Sequence, residues 1–387
     1  MIKLKGIIYD WILRLATVGF RKRASHKKLL IVRVDEIGDF MLWHSFLNEM
    51  VSAERFKDYE FHFCGNQSWK TLFQNFDAAF VQKSFWLDKQ IFKKEMPYRY
   101  RFLKKIYQEK YDTVINPTFS RDKRYDDSIV KAAKAQHTIG MTANLESVQS
   151  YEIGYDRHLY TQVFDHKEYP VFEFYRNKLF TEFVIRKKSA VTDTLIAPES
   201  LPTLSIELPE KYFVVFPGSR SKARIWPTEN FDRVSSYLAE NYGWTAIVCG
   251  TKTDTAYTNT FCDQYKQPFI DLTGKTSLIE MLSLLKNAQC LLSVDTGSVH
   301  LAAAVGCTVF GIFNGSQYQR FAPYPANMAP NFYAVYPDEV EEELTNAELI
   351  KQKYEFVIPV PYTSVKPEKV ILAVYQHYLG KEIGNNQ

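Results

Sequence analysis

The sequence predicts an α/β protein of two domains, each a parallel sheet wound with helices. Three observations carry this expectation. The chain has 387 residues, more than one ordinary core takes and enough for two domains of roughly 150–200 residues. Short apolar, β-branched runs alternate with helix-period stretches, once in each half. Between the halves, Val191 to Pro209 holds prolines and threonines with no sustained period and reads as a linker.

In the first half, Leu29 to Val34 reads as a buried strand ending in the loop Asp35-Glu-Ile-Gly-Asp39. A helical pattern follows from Phe40 to about Val51, with Leu42, Phe46, Leu47 and Met50 on its apolar face. Tyr59 to Gly65 and Tyr111 to Ile115 read as strands, separated by a basic helical stretch from Tyr98 to Lys110. A helix from about Ser128 leads into a short strand, Thr138 to Gly140. These elements assign residues 28–190 to a first Rossmann-like domain, preceded by an extension, 1–27.

The second half repeats the scheme over residues 210–350. Its strands are Tyr212–Phe216, Thr245–Gly250, Cys290–Val294 and Thr308–Phe313, with helices Pro227–Tyr242, Ser277–Ala288 and Val299–Val305 between or beside them. Pro227 sits at the first turn of its helix, where a missing N–H costs nothing. Residues 351–387 close the chain, with a helix from Pro367 to Leu379 expected to cross back to the first domain.

Composition narrows the function classes. Apolar residues make up 46% and charged residues 24%, an ordinary globular balance. A net charge of +4 leaves no nucleic-acid footprint. The five cysteines, Cys64, Cys249, Cys262, Cys290 and Cys307, form no C-x-x-C pair. They read as reduced, buried thiols and point to a cytoplasmic address. The apolar stretch from Ile7 to Phe20 is broken by Asp10 and Arg14, is too short to cross a membrane, and lacks the charge layout of a signal peptide. It reads as an amphipathic helix followed by Arg21-Lys22-Arg23 and Lys27-Lys28. Two readings of it stay open: contact with the anionic inner face of the cytoplasmic membrane, or docking on the body of the protein.

In open parallel sheets, ligands bind beyond the carboxyl ends of the strands. Four loops at such ends carry unusual polar content. Asp295-Thr-Gly-Ser-Val-His300 joins a buried strand to an apolar helix. Gly297 admits close backbone approach, and the N–H groups around Thr296–Val299 form a helix start where a phosphate is favoured. His300, one turn in, is either a donor to an anion or a core histidine. Pro217 to Pro227 brings Ser219, Arg220, Ser221, Lys222 and Arg224 before a helix, chemistry suited to a pyrophosphate, although no Walker loop is present. Asp254, after the strand ending at Gly250, is either an acceptor for ribose hydroxyls or a plain helix cap. Asp39, at the start of its helix, is either an N-cap or a general base. A helix start favours its ionised form, so as a base it acts late, as the attacking hydroxyl loses its proton.

These pieces occur in a recognisable order. The chain resembles family 9 glycosyltransferases, the heptosyltransferases of lipopolysaccharide core assembly and their relatives, over most of residues 28–325. The resemblance rests on Ile31 to Asp39, on Pro217-Gly218 through Trp226-Pro227, and on Thr273-Gly-Lys-Thr-Ser-Leu278 followed by Asp295-Thr-Gly-Ser-Val-His300-Leu-Ala-Ala. It implies a GT-B fold, two Rossmann-like domains facing across a cleft, with the nucleotide sugar on the second and the acceptor on the first. It implies an enzyme that transfers a heptose or related sugar from an ADP-linked or other nucleotide-sugar donor to a lipopolysaccharide-core or other surface-glycan acceptor. It also implies inversion at the anomeric carbon with no catalytic metal or cofactor, and no Asp-x-Asp motif sits in a suitable loop. By position, Asp39 is the base. Ser219, Arg220 and Arg224 meet the diphosphate, Asp254 the ribose, Thr276 the nucleobase, and Asp295, Thr296, Gly297 and His300 complete the donor site.

Two departures stand out. Arg224 replaces the lysine common before Trp-Pro, putting a planar fork where the family has a point charge. Asn116 replaces an aspartate common after the Tyr-Asp-x-Val-Ile strand, which bears on the acceptor. Arg121, Lys123 and Arg124 are the candidate contacts for an anionic glycolipid or oligosaccharide acceptor. Two other classes remain: a nucleotide-sugar epimerase or hydrolase on the same fold, and a non-catalytic sugar-nucleotide-binding protein.

Overall fold

The structure is a computed structural model and describes residues 2–19, 27–143, 158–166 and 169–384. The chain forms two compact units, one of Met1–Glu168 with Phe174–Val191, the other of Tyr169–Glu173 with Thr192–Gln387.

The first unit opens with helix α1 (Ile2–Ala16). Its sheet holds six parallel strands: β1 (Lys27–Arg33), β2 (Tyr59–Asn66), β3 (Lys83–Leu87), β4 (Thr113–Asn116), β5 (His137–Met141) and β6 (Gln162–Phe164), in the order β3-β2-β1-β4-β5-β6. Leu29, Leu30, Ile31 and Val32 of β1 are fully buried, as a central strand covered on both faces requires. The helical stretch expected from Phe40 to Val51 is broken. It consists of α2 (Ile37–Met41), a 3-10 turn and α3 (Leu47–Val51). Then come α4 (Lys70–Phe76), α5 (Lys89–Lys94), α6 (Met96–Gln108), α7 (Asp126–Ala133) and α8 (Glu173–Ile185). Leu103, Ile106, Ile129 and Val130 bury the inner faces of α6 and α7 against Val32 and Val114 of the sheet.

The second unit repeats the design. Its strands are β7 (Tyr212–Phe216), β8 (Thr245–Val248), β9 (Phe269–Asp271), β10 (Leu291–Val294), β11 (Val309–Ile312) and β12 (Phe332–Val335), in the order β12-β11-β10-β7-β8-β9. Numbered within their own sheets, the two orders are the same, with the reversal between the first and fourth strands. This is the Rossmann order, in which the reversal point marks the ligand crevice. The helices are α9 (Thr228–Tyr242), α10 (Thr255–Gln264), α11 (Leu278–Asn287), α12 (Gly297–Ala304), α13 (Asp338–Glu343) and α14 (Pro367–Gly384). Gly243 ends α9 in the left-handed region at φ 69°, the conformation glycine adopts without strain.

The segment expected as a linker is irregular apart from one 3-10 turn, Pro198–Ser200. Helix α14 belongs to the second unit. Val370 and Val374 pack into the core of the second unit beside Phe310 and Trp244, and His377 Nδ1 lies 2.7 Å from the Tyr333 hydroxyl on β12.

Candidate functional site

The second sheet reverses between β7 and β10, so the loops leaving those strands emerge side by side. The structure joins them through Arg224, whose Nη1 donates to the Asp295 carbonyl at 3.1 Å and lies 3.0 Å from Asp295 Oδ2. Burial pushes the Asp295 carboxyl above its ordinary range, and Arg224 opposes that rise. The loop after β7 begins with Gly218, where an added Cβ would sit 2.5 Å from the Asp254 Cβ. Only glycine lets this loop close against the one after β8. Ser219 is buried, with its hydroxyl accepting the Ser221 N–H at 3.3 Å, and Arg220 is exposed.

Asp254 takes the cap reading. Its Oδ2 accepts from the Thr251 N–H at 2.8 Å and the Thr251 hydroxyl at 2.6 Å, in a reciprocal capping box, and the side chain is buried. Thr276 is partly exposed just before a second capping box, formed by Ser277 and Glu280.

Thr296 is extended, and α12 starts at Gly297. The hydroxyls of Ser293, Thr296 and Ser298 lie 2.7–3.3 Å apart beneath the helix start. His300 is buried one turn on, its Nδ1 2.8 Å from the Tyr324 hydroxyl. Burial first, then Arg224, lowers its pKa to about 4, so the ring is neutral at pH 7. N–H groups at a helix start, three hydroxyls and the Arg224 guanidinium are the chemistry of a diphosphate cradle.

In the first sheet the reversal falls between β1 and β4. Arg33, at the end of β1, is fully buried. Its Nη2 donates to the Asp39 carbonyl at 2.9 Å and lies 3.1 Å from Asp35 Oδ2. Its Nη1 donates to the Pro117 carbonyl and to Asn177 Oδ1, both at 3.2 Å. The Asp35 carbonyl accepts from Trp69 Nε1 at 3.0 Å and Asn66 Nδ2 at 2.9 Å. These bonds lock the loop that presents Asp39, which is partly exposed in the first turn of α2. Burial pushes the Asp35 carboxyl well up, against the pull of Arg33. Nearby, Lys89 Nζ bonds Glu36 Oε1 at 2.8 Å. Burial disfavours the Lys89 charge, but Glu36, Asp126 and Asp35 outweigh it and leave its pKa raised.

Asn116 is fully buried. Its Nδ2 donates to the Tyr160 hydroxyl at 2.8 Å, and that hydroxyl donates to Asp127 Oδ1 at 3.1 Å. Arg121, expected at an anionic acceptor, closes the same network. It is fully buried, donates from Nε to Asp127 Oδ1 at 3.0 Å and bonds the Met141 carbonyl. A guanidinium buried without such partners would be strongly unfavourable, so its residue type answers to Asp127 inside the domain. Lys123 is partly exposed, and the exposed Arg124 bonds Asp122 at 3.0 and 3.1 Å.

Glycosyltransferase family 9 (heptosyltransferase) matches residues 99–347, more than half of the chain. The chain belongs to that family.

Among curated relatives of this family 9 chain, lipopolysaccharide heptosyltransferase 3 of Escherichia coli (strain K12) is 26% identical over 168 residues, 42% of this chain and 47% of the relative. The lipopolysaccharide core heptosyltransferase OpsX of Haemophilus influenzae is 24% identical over 140 residues, 36% of this chain and 40% of the relative. The chain thus spans less than half the length of the curated relatives it matches. Two solved structures share the fold over nearly their full length. The family 9 glycosyl transferase of Veillonella parvula has a TM-score of 0.63 at 17% identity, covering 93% of this chain and 100% of that one. The E. coli heptosyltransferase WaaC with ADP-2-deoxy-2-fluoro heptose has a TM-score of 0.64 at 15% identity, covering 90% and 99%. The two Rossmann-like domains are those of the GT-B fold.

Several residues around the loops of each unit carried little sequence signal. Tyr324 reaches His300 from 24 positions away with no motif around it. Arg33 sits inside the quoted strand motif, and a lone charge in an apolar strand was the available sign of a buried anchor. Lys89 lies before the basic helix and pairs across 53 positions.

Proposed function

We propose that this chain is an inverting glycosyltransferase that moves a heptose or related sugar from an ADP-linked donor to a surface-glycan acceptor such as a lipopolysaccharide core. The observation that carries the reading is the Arg224–Asp295 junction at the start of α12, where two loops from the strand-reversal point meet with three clustered hydroxyls. The WaaC structure named above holds an ADP-sugar analogue, which supports ADP as the donor nucleotide.

In the proposed reaction an acceptor hydroxyl oxygen attacks C1 of the donor sugar. The bond from C1 to the β-phosphate oxygen breaks, and its electron pair leaves with ADP. The hydroxyl proton passes to Asp39. Arg220, Arg224 and the N–H groups at Gly297 and Ser298 stabilise the charge gathering on the diphosphate, and each such donor is typically worth about 2.7–4 kcal/mol in the transition state. Ser219, Thr296 and His300 line the same site, and Thr276 adjoins the base. Asp254 contributes by capping the turn after β8, its carboxylate engaged by Thr251, where Gly218 of the loop after β7 closes against it. We assign no metal to the reaction; transfer that persists unchanged in excess chelator supports this, and loss restored by one divalent ion overturns it. We place the reaction on the cytoplasmic side.

Calorimetric titration with ADP, UDP and GDP tests the donor site. ADP binding well above the other two is expected. No binding of any nucleotide sinks the reading.

A further inference from the structure

We propose that α1 seats this protein on an anionic lipid bilayer through an apolar face made by Ile7, Ile8, Trp11 and Leu15, continued by Val18.

The helix has two faces with different fates. Its inner face belongs to the fold. Tyr9 and Ala16 are buried, and Leu13 packs on the first core. The Tyr9 hydroxyl donates to the Lys93 carbonyl at 2.8 Å. The Tyr9 ring covers the buried Arg99 guanidinium at 4.0 Å, with Phe92 on the same guanidinium at 4.2 Å. Lys104 Nζ donates to the Val18 carbonyl at 3.0 Å and the Tyr107 hydroxyl to the Gly19 carbonyl at 2.8 Å. So the helix is docked on the body, one of the two readings its sequence left open.

Its outer face is apolar and, among the described residues, unmet. Ile7, Ile8, Trp11, Leu15 and Val18 are 40–65% exposed. At 3.6 residues per turn the four helical members fall within an arc of about 100°. Single exposed apolar residues are ordinary, but a contiguous patch of this kind marks an interaction surface.

Charge selects the occupant. Arg14 is exposed on α1, and Lys93, Lys94, Arg101 and Lys105 are exposed on α5 and α6, which flank it, against the exposed Asp10 and Glu95. Over residues 1–28 eight lysines and arginines accompany one acid, Asp10. The run Arg21-Lys22-Arg23 among them lies outside the described residues. Two copies meeting through this face would bring like charges together, whereas an anionic headgroup layer attracts them. The helix is about 22 Å long, short of the roughly 30 Å hydrocarbon layer, and no described helix is long and apolar enough to cross a membrane. It lies on the surface, with Trp11 at the level where indole rings settle.

This inference needs no donor and no acceptor, so vesicle binding and nucleotide binding fail or succeed separately. The test uses the full chain and sedimentation with phosphatidylcholine vesicles containing 25% phosphatidylglycerol, beside pure phosphatidylcholine. We expect binding to the anionic vesicles, weakened by 0.5 M salt, and at least tenfold weaker in Trp11→Glu/Leu15→Glu. Both substituted side chains are exposed, and an unchanged melting temperature and ADP affinity confirm that the variant is folded. The wild-type tryptophan emission shifts to the blue on anionic vesicles, and Trp11→Phe abolishes the shift. Wild type that stays in the supernatant, or a folded double variant that sediments like wild type, overturns the proposal. So does a wild-type dimer that the double variant dissociates with no vesicle binding in either, which would make the face a contact between copies.

Discussion

Arg224 holds Asp295 from both ends, its guanidinium 3.1 Å from the backbone carbonyl and 3.0 Å from the carboxylate. The cation proposed to meet the donor phosphates therefore also pairs with an acid at the same helix start. Removing it takes away a phosphate partner and leaves Asp295 facing the diphosphate. A charge-assisted bond is worth roughly 1.5–3 kcal/mol, so Arg224→Ala is expected to weaken ADP about 10- to 100-fold by calorimetry. Adding Asp295→Asn should recover part of the loss. If the double variant binds no better than Arg224→Ala, the two residues act independently.

Asp39 gives a different signature. Asp39→Asn keeps the shape of the α2 turn and removes the proposed proton acceptor. Its kcat for transfer is expected to fall by about 10²–10⁴, with ADP affinity unchanged. Equal transfer rates in the two proteins would show that another group takes the proton.

His300 sets an acid limb of stability. Its pKa falls from 6.5 to about 4 in the folded chain, through burial first and Arg224 second. Below pH 6.5 the unfolded chain takes up a proton that the folded chain refuses. The stability this group lends is thus complete above about pH 6.5 and is lost progressively as the pH falls toward 4, in total on the order of 3 kcal/mol. Urea unfolding across that range should show the slope, and His300→Gln should flatten it. Parallel curves for the two proteins would refute the assignment.

Asn116 fills a place where an aspartate would be a second buried carboxylate beside Asp127, joined to it through Tyr160. Burial already raises the pKa of Asp127, against Arg121. Asn116→Asp is expected to cost about 3 kcal/mol at pH 7, less at pH 4 where the new acid protonates. Thermal unfolding at the two pH values checks both statements.

The fold was legible where local pattern and burial agree. The central strands are continuous apolar runs, such as Leu29 to Val32, that no other element explains. The edge strands β3, β6, β9 and β12 escaped notice. Lys83 and Ser84 of β3 are exposed, and Gln162, Val163 and Phe164 of β6 are only half-buried, so neither carries the pattern of a core strand. The break in the helix after Asp39 was equally hidden, because Leu42, Phe46, Leu47 and Met50 keep helical spacing through a 3-10 turn. In the site, the loops at Asp39, Arg224 and Asp295 stood out because glycine and charge follow apolar strands. Arg121 misled because a charged residue in a basic stretch looks solvated, and its pairing with Asp127 becomes visible only when α7 packs over β1 and β4. The fate of Asp254 turned on Thr251, three residues away, a capping pair that reads the same in sequence whether or not a ribose is near.

Arg33 bonds partners 6, 84 and 144 positions along the chain. While the protein is being made, its guanidinium waits inside a forming core until Asn177 has left the ribosome. A nascent chain stopped before residue 177 would carry this strand with one bond of the guanidinium's Nη1 still unmade. The first domain matures as one piece, with the second already being threaded out behind it.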